Sequence, residues 1–181
     1  MLDLLIPTIA QGLLWSLLAL GVYITFRVLD IADLSVEGTF PLGAAVAATC
    51  ITSGHSLVTA FVLAVLAGCV AGAVTGLLTT KLKIPALLSG ILTMIGLYSI
   101  NLRVMGRANL SLLGQTTIYS WGASAGLTEA QTTLAVGLIA ALLVVAVVYW
   151  FFGTEIGLAL RATGYNPQMS RAQGVNTDSM V

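Results

Sequence analysis

GTFPLGAAVAATCITSGHSLVTAFVLAVLAGCVAGAVTGLLTT, residues 38–80, contains no Asp, Glu, Lys or Arg. A hydrocarbon core about 30 Å thick is crossed by roughly 20 apolar residues of helix, so the stretch is too long for one crossing. It breaks at the polar run Ser53, Gly54, His55 and Ser56 and reads as a helical hairpin, with arms at about 38–53 and 57–80. Working outward, uncharged runs at about 4–26, 84–101 and 132–152 supply three more crossings. Pro85 suits the first turn of the fourth, where its missing N–H is not needed. The expected fold is all-α: a polytopic transmembrane helical bundle of about five crossings, one transmembrane domain over 1–181. Between crossings lie an outer segment at 102–131 and a polar loop at 154–178.

Composition agrees. Of 181 residues, 58% are hydrophobic and 8% charged, against roughly 45–50% and about 25% in a soluble domain. This excludes a soluble enzyme. Seven basic and seven acidic residues cancel, leaving no field to recruit nucleic acid. Cys50 and Cys69 lie in apolar runs and read as small buried hydrophobes. The start lacks a basic n-region, so the first run reads as a retained helix rather than a cleaved signal. Basic residues in short loops favour the cytoplasm. Placing Arg27, Lys81, Lys83, Arg161 and Arg171 inside, with Arg103 and Arg107 outside, predicts N-terminus out and C-terminus in.

Segment two is too short to span alone. Residues 39–52 make about 21 Å of helix, and extending backwards brings in Glu37, Asp33 and Asp30. A charge at the bilayer centre costs about 2.5–3.5 kcal/mol on insertion scales. Two readings are open: a cytoplasmic connector before a short helix, or a broken or re-entrant segment with its polar half facing a cavity. In the second, Glu37, beside Gly38 and near Pro41, is the cavity residue, while Asp30 and Asp33 are solvated or interfacial. Segment three carries small residues at every fourth position, Ala60, Ala64, Gly68, Gly72, Gly76 and Thr80. Such a stripe lets helix backbones approach closely in lipid. Segment four presents Ser89, Thr93 and Gly96 on one face, with Asn101 near its outer end. That face could line a path or simply bond neighbouring carbonyls.

No catalytic constellation assembles: His55 is the single histidine, and the Gly-Lys-Ser/Thr of a phosphate-binding loop is missing. The chain is not expected to be an enzyme and holds no metal or cofactor in this reading. In the final polar stretch Asn166 can cap a helix, Pro167 suits its first position and Gly174 can close it. A short surface helix follows, with Met169, Ala172 and Gln173 on one side.

Three stretches carry a resemblance: ALGVYITFRVLDIADLSVEGTFPLGAA (19–45), IPALLSGILTMIGLYSINLR (84–103) and GLALRATGYNPQMSRAQGVNTD (157–178). They resemble permease subunits of ATP-binding-cassette importers of the branched-chain amino acid and ribose type, most closely the group handling tryptophan, tyrosine and similar metabolites. The resemblance implies a permease subunit of an ATP-driven importer for a small solute, with residues 154–178 as the loop that couples to a separate ATPase. Its residues there are Gly157, Arg161, Gly164, Asn166, Pro167, Met169, Arg171, Ala172 and Gly174. The translocation path would include Glu37, Ser89, Thr93 and Asn101, and Gly68, Gly72 and Gly76 would pack helices. ATP and magnesium would sit in the partner ATPase. The other implied partners are an extracytoplasmic solute-binding protein, a second permease copy or homologue and the lipid bilayer of the cytoplasmic membrane. Family permeases continue beyond this loop, so the bundle is expected to be C-terminally incomplete at Val181. The alternative is a passive channel or secondary transporter, which would place buried charges or half-helix pairs at the midplane of related halves.

Overall fold

The computed structural model describes residues 2–180 apart from 116, 119, 121, 123–125 and 127. Helices α1 (Leu2–Tyr23), α2 (Val36–Thr52), α3 (Leu57–Thr80), α4 (Ala86–Met105), α5 (Glu129–Phe152), α6 (Glu155–Tyr165) and α7 (Pro167–Ala172) follow in order. No strand occurs among the described residues. Among the described residues four helical stretches, Leu5–Val28, Leu57–Thr80, Ala86–Met105 and Glu129–Phe152, are long and apolar enough to cross a membrane. The fifth expected crossing is the 17-residue α2, about 26 Å long and short of the roughly 30 Å core. The outer segment 102–131 lies partly outside the described residues.

Of the two readings open for segment two, the backbone follows the connector before a short continuous helix rather than the broken helix. α2 runs unbroken through Pro41, although proline deletes the N–H that would bond the Glu37 carbonyl. The irregular backbone lies before it. α1 widens into a π-helix at Ile24–Val28, closed by Leu29 N–H donating to the Ile24 carbonyl at 3.2 Å. Asp30 then takes a left-handed φ of 56°, and residues 31–34 carry no regular structure.

The chain divides into two compact units, Met1–Asp30 with Thr117–Val181, and Ile31–Thr116. In the first, α1 packs on α5 where Ala10 is buried, and Gly137 brings the backbones together: a Cβ there would stand 3.2 Å from Leu13 Cβ. A capping box starts α5, with Gln131 N–H donating to Thr128 Oγ1 and Thr128 N–H donating to Gln131 Oε1.

In the second unit α2, α3 and α4 pack around Leu42, Ala71 and Leu97. Gly38 lets α2 touch α4, since a Cβ there would lie 2.9 Å from Met94 Cα. Within this unit α3 packs by a stripe next to the one marked for close helix contact. Within the unit Gly68 and Gly72 meet nothing within 4 Å of an added Cβ, and Gly76 is half-buried. The adjacent stripe is used instead: Ala67 packs on the core, Ala71 and Thr75 are buried, and Thr79 reaches α4. Both stripes are small enough for close approach. What separates them is hydroxyl pairing in lipid, where a hydrogen bond between helices has little competition from water.

Candidate functional site

Two places carry the polar chemistry. The first is the segment after α5. Thr154 caps α6 by accepting from Gly157 N–H at 3.3 Å. An added Cβ at Gly157 would run into the Phe151 carbonyl oxygen and stand 2.6 Å from Phe152 Cα. Glycine is therefore what permits the close approach of α6 to the end of α5. One turn on, Arg161 Nη2 donates to the Phe152 carbonyl at 2.7 Å and the guanidinium stacks on the Phe152 ring. Gly164 seats the other end of α6 on the π-helix, where a Cβ would collide with the Val28 carbonyl oxygen.

Asn166 ends α6 and opens α7, its Oδ1 accepting from Met169 N–H at 3.0 Å with Pro167 in the first turn. After α7 the chain turns through Gly174 at φ +87°, and Val175 N–H donates back to the Ser170 carbonyl. Arg171 holds the following turn by Nε to Thr177 Oγ1 at 2.6 Å and Nη2 to Asp178 Oδ1 at 2.8 Å. The ion pair is exposed, so it contributes about 0–1 kcal/mol; its geometric role is to fold the chain after α7 back on itself. Ser170 faces inward, while Met169, 60% exposed, Ala172 and Gln173 face out.

The second place is the buried face of α4. Ser89, Thr93 and Asn101 all lie on it. Thr79 and Ser89 hydroxyls are 2.6 Å apart, and Thr75 donates to Thr93 at 3.0 Å. Each of these hydroxyls also reaches a carbonyl of its own helix. Asn101 differs: among the described residues its Oδ1 is the one buried side-chain polar atom without a hydrogen-bond partner. An unmet acceptor of this kind costs about 1–3 kcal/mol. Glu37 stands exposed and is not brought to this face. The carboxylate set against α4 is that of Asp33, which accepts from Ser35 N–H at 2.8 Å and Ser35 Oγ at 3.0 Å. The close approach is made at Gly90, where a Cβ would lie 2.7 Å from Leu34 N and 3.0 Å from Asp33 Oδ1.

Sequence reasoning missed Asp33, the hydroxyls of Thr75 and Thr79, and α6 as a helix. The first two had a signal: Asp33 and Ser35 form an Asp-x-Ser turn before a helix, and Thr75 and Thr79 share a helical face four residues apart.

Long apolar helices, a capped polar segment beyond the last of them and hydroxyl pairing between helices define a helical integral membrane protein. The chain belongs to the family described as branched-chain amino acid transport system / permease component, which matches residues 4–181. It is 39% identical over 176 residues to a tyrosine transport system permease protein of Clostridioides difficile (strain R20291), covering 97% of this chain and 57% of that protein. It is 34% identical over 168 residues to an uncharacterized protein of Rickettsia prowazekii (strain Madrid E), covering 93% of this chain and 57% of the relative. The chain thus spans just over half the length of these curated relatives. No solved structure gives a significant match.

Proposed function

We propose that the chain is a permease subunit of an ATP-driven importer for a small solute, an aromatic or other amino acid, and that a separate ATPase docks on α6 and α7. The observation that carries this reading is the capped α7, which holds Met169 and Ala172 outward on a segment fastened at Gly157, Arg161 and Gly164. Family membership and the tyrosine-permease relative support the solute class. In this proposal the ATPase holds ATP and magnesium and performs the hydrolysis. An extracytoplasmic protein delivers the solute, and a second permease copy or homologue completes the path. Asn101 Oδ1 is the acceptor on α4 that a passing solute or its water can use, and Ser89 and Thr93 stand on the same face. Hydrolysis shifts the permease between openings through differential contacts on α7.

The test is capture of the ATPase subunit by the complete permease. Ala172→Arg drives a charge into a desolvated contact and is expected to weaken capture and solute-stimulated hydrolysis about tenfold or more, ~1.4 kcal/mol, with membrane insertion intact. Wild-type capture and coupling in that variant would sink the proposal.

The orientation, N-terminus out and C-terminus in, is tested with single cysteines in a Cys50→Ser, Cys69→Ser background. A cysteine at Ser56 is expected to react with an impermeant thiol reagent outside intact cells, and one at Gln168 to stay unlabelled. Outside labelling at Gln168 reverses the assignment.

A further inference from the structure

Where α5 ends, a cavity of about 720 Å³ opens between α1, α5 and α6. Its lining includes the aliphatic Leu20, Val145 and Val148, the rings of Tyr149 and Trp150, and the cationic Arg161. Its size falls in the range of about 300–1,000 Å³ usual for small-ligand sites. Tyr149 is 84% and Trp150 71% exposed, so both rings are accessible to a ligand. With 24 residues, α5 extends about 36 Å, longer than the hydrocarbon core, and Tyr149 and Trp150 belong to its last turn; such rings are favoured at membrane interfaces.

Arg161 decides the occupant. Its guanidinium spends one N–H on the Phe152 carbonyl, and the ion pair found among the described residues, Arg171–Asp178, lies elsewhere. Its other donors are left for an anion, and a guanidinium suits a phosphate through paired N–H groups. Glu155, the nearest acid in sequence, does not line the cavity. Arg161 bonds Phe152 at the end of α5, Tyr149 and Trp150 come next and Val148 and Val145 further into the apolar helix, so cation, rings and aliphatic lining together match one amphipathic ligand.

We propose that this cavity binds an anionic phospholipid, its phosphate on Arg161 and the upper part of one acyl chain along Leu20, Val145 and Val148. Basic pockets between membrane helices hold lipid headgroups by this combination of charge and apolar contact. The site takes Arg161 from α6, one of the two helices on which ATPase docking is proposed, and its lining includes no residue of α7.

Native mass spectrometry of the full chain, with phosphatidylglycerol and phosphatidylcholine at equal concentration, tests it. Phosphatidylglycerol adducts are expected to exceed phosphatidylcholine adducts about tenfold. Arg161→Ala is expected to abolish that preference. Because Arg161 also holds the Phe152 carbonyl, a second variant leaves it in place: Val148→Trp fills the aliphatic lining and is expected to remove the bound lipid as well. Arg161→Lys is expected to give an intermediate preference and Arg103→Ala, at the end of α4, the wild-type one. Equal binding of both lipids overturns the proposal. So does loss in Arg161→Ala with none in Val148→Trp, or a protein dimer that Val148→Trp dissociates while lipid binding stays unchanged.

Discussion

Gly90→Leu is expected to destabilise the protein by about 3 kcal/mol, the upper end for overpacking a tight contact. The reason is that what stands in the way is backbone. A Cβ at Gly90 would lie 2.7 Å from Leu34 N and 3.3 Å from Ser35 N, with Asp33 Oδ1 at 3.0 Å. A flexible side chain could swing aside; a peptide group just ahead of a helix cannot move without disturbing the turn it belongs to. That turn is the Asp33 carboxylate gripping Ser35, so the clash reaches the start of α2. The control lies on the same helix. Gly96 meets nothing within 4 Å of an added Cβ, and Gly96→Leu is expected to be neutral or stabilising by up to about 1 kcal/mol through helix propensity. Gly72→Leu on α3 should behave alike, because its Cβ is also open. Thermal unfolding in one detergent measures all three, and equal shifts for Gly90→Leu and Gly96→Leu would show that the approach at Gly90 is not tight.

The contrast between Gly90 and Gly72 also shows what a membrane sequence does and does not reveal. Helix existence was legible because an apolar run of crossing length has few other solutions in a bilayer. Helix ends were not. The apolar run suggested that α5 starts near Thr132, whereas the capping box at Thr128 and Gln131 starts it at Glu129, a polar signal that counting apolar residues passes over. At its far end α4 continues beyond Asn101 to Met105 and carries Arg103 with it, since a long basic side chain near a helix end reaches the interface. Packing faces were the least legible. On a soluble helix the apolar stripe marks the buried side, but α3 is apolar all round, so the inward face had to be guessed from residue size. Gly68 and Gly72 and the stripe of Ala67, Ala71 and Thr75 are equally small, and the Thr75–Thr93 and Thr79–Ser89 pairs distinguish them. Those pairs link different helices, and a single sequence contains no statement of which hydroxyl meets which. The same limit applies to Asp33 and Glu37: both are acids beside α2, and it is the approach at Gly90 that sets Asp33 against α4.

Gly164→Leu is the companion test, in the other unit and with a different consequence. α6 has only 11 residues, with glycines at 157 and 164 among them, too short to be stable as an isolated helix in water. Its stability comes from where it is seated. Gly164 lies against the end of the π-helix so closely that a Cβ would strike the Val28 carbonyl oxygen and stand 2.9 Å from Leu29 Cα. A leucine there is expected to cost about 3 kcal/mol and to lift the end of α6 away from Val28. Asn166, the cap of α7, is two residues further on, so the displaced end of α6 carries α7 with it. Under the function proposed above, ATPase capture is lost even though Met169 and Ala172 are unaltered. Gly174→Ala separates seating from local geometry. It forces a left-handed φ on a residue with a Cβ, at a cost of about 1–2 kcal/mol, but leaves α6 on the π-helix, and its effect on capture is expected to be smaller than that of Gly164→Leu. Reading unfolding temperature and ATPase capture side by side distinguishes the cases. A Gly164→Leu protein that unfolds early yet captures ATPase normally would mean that α7 holds its place without the support of α6, and docking would then have to be ascribed to another part of the chain.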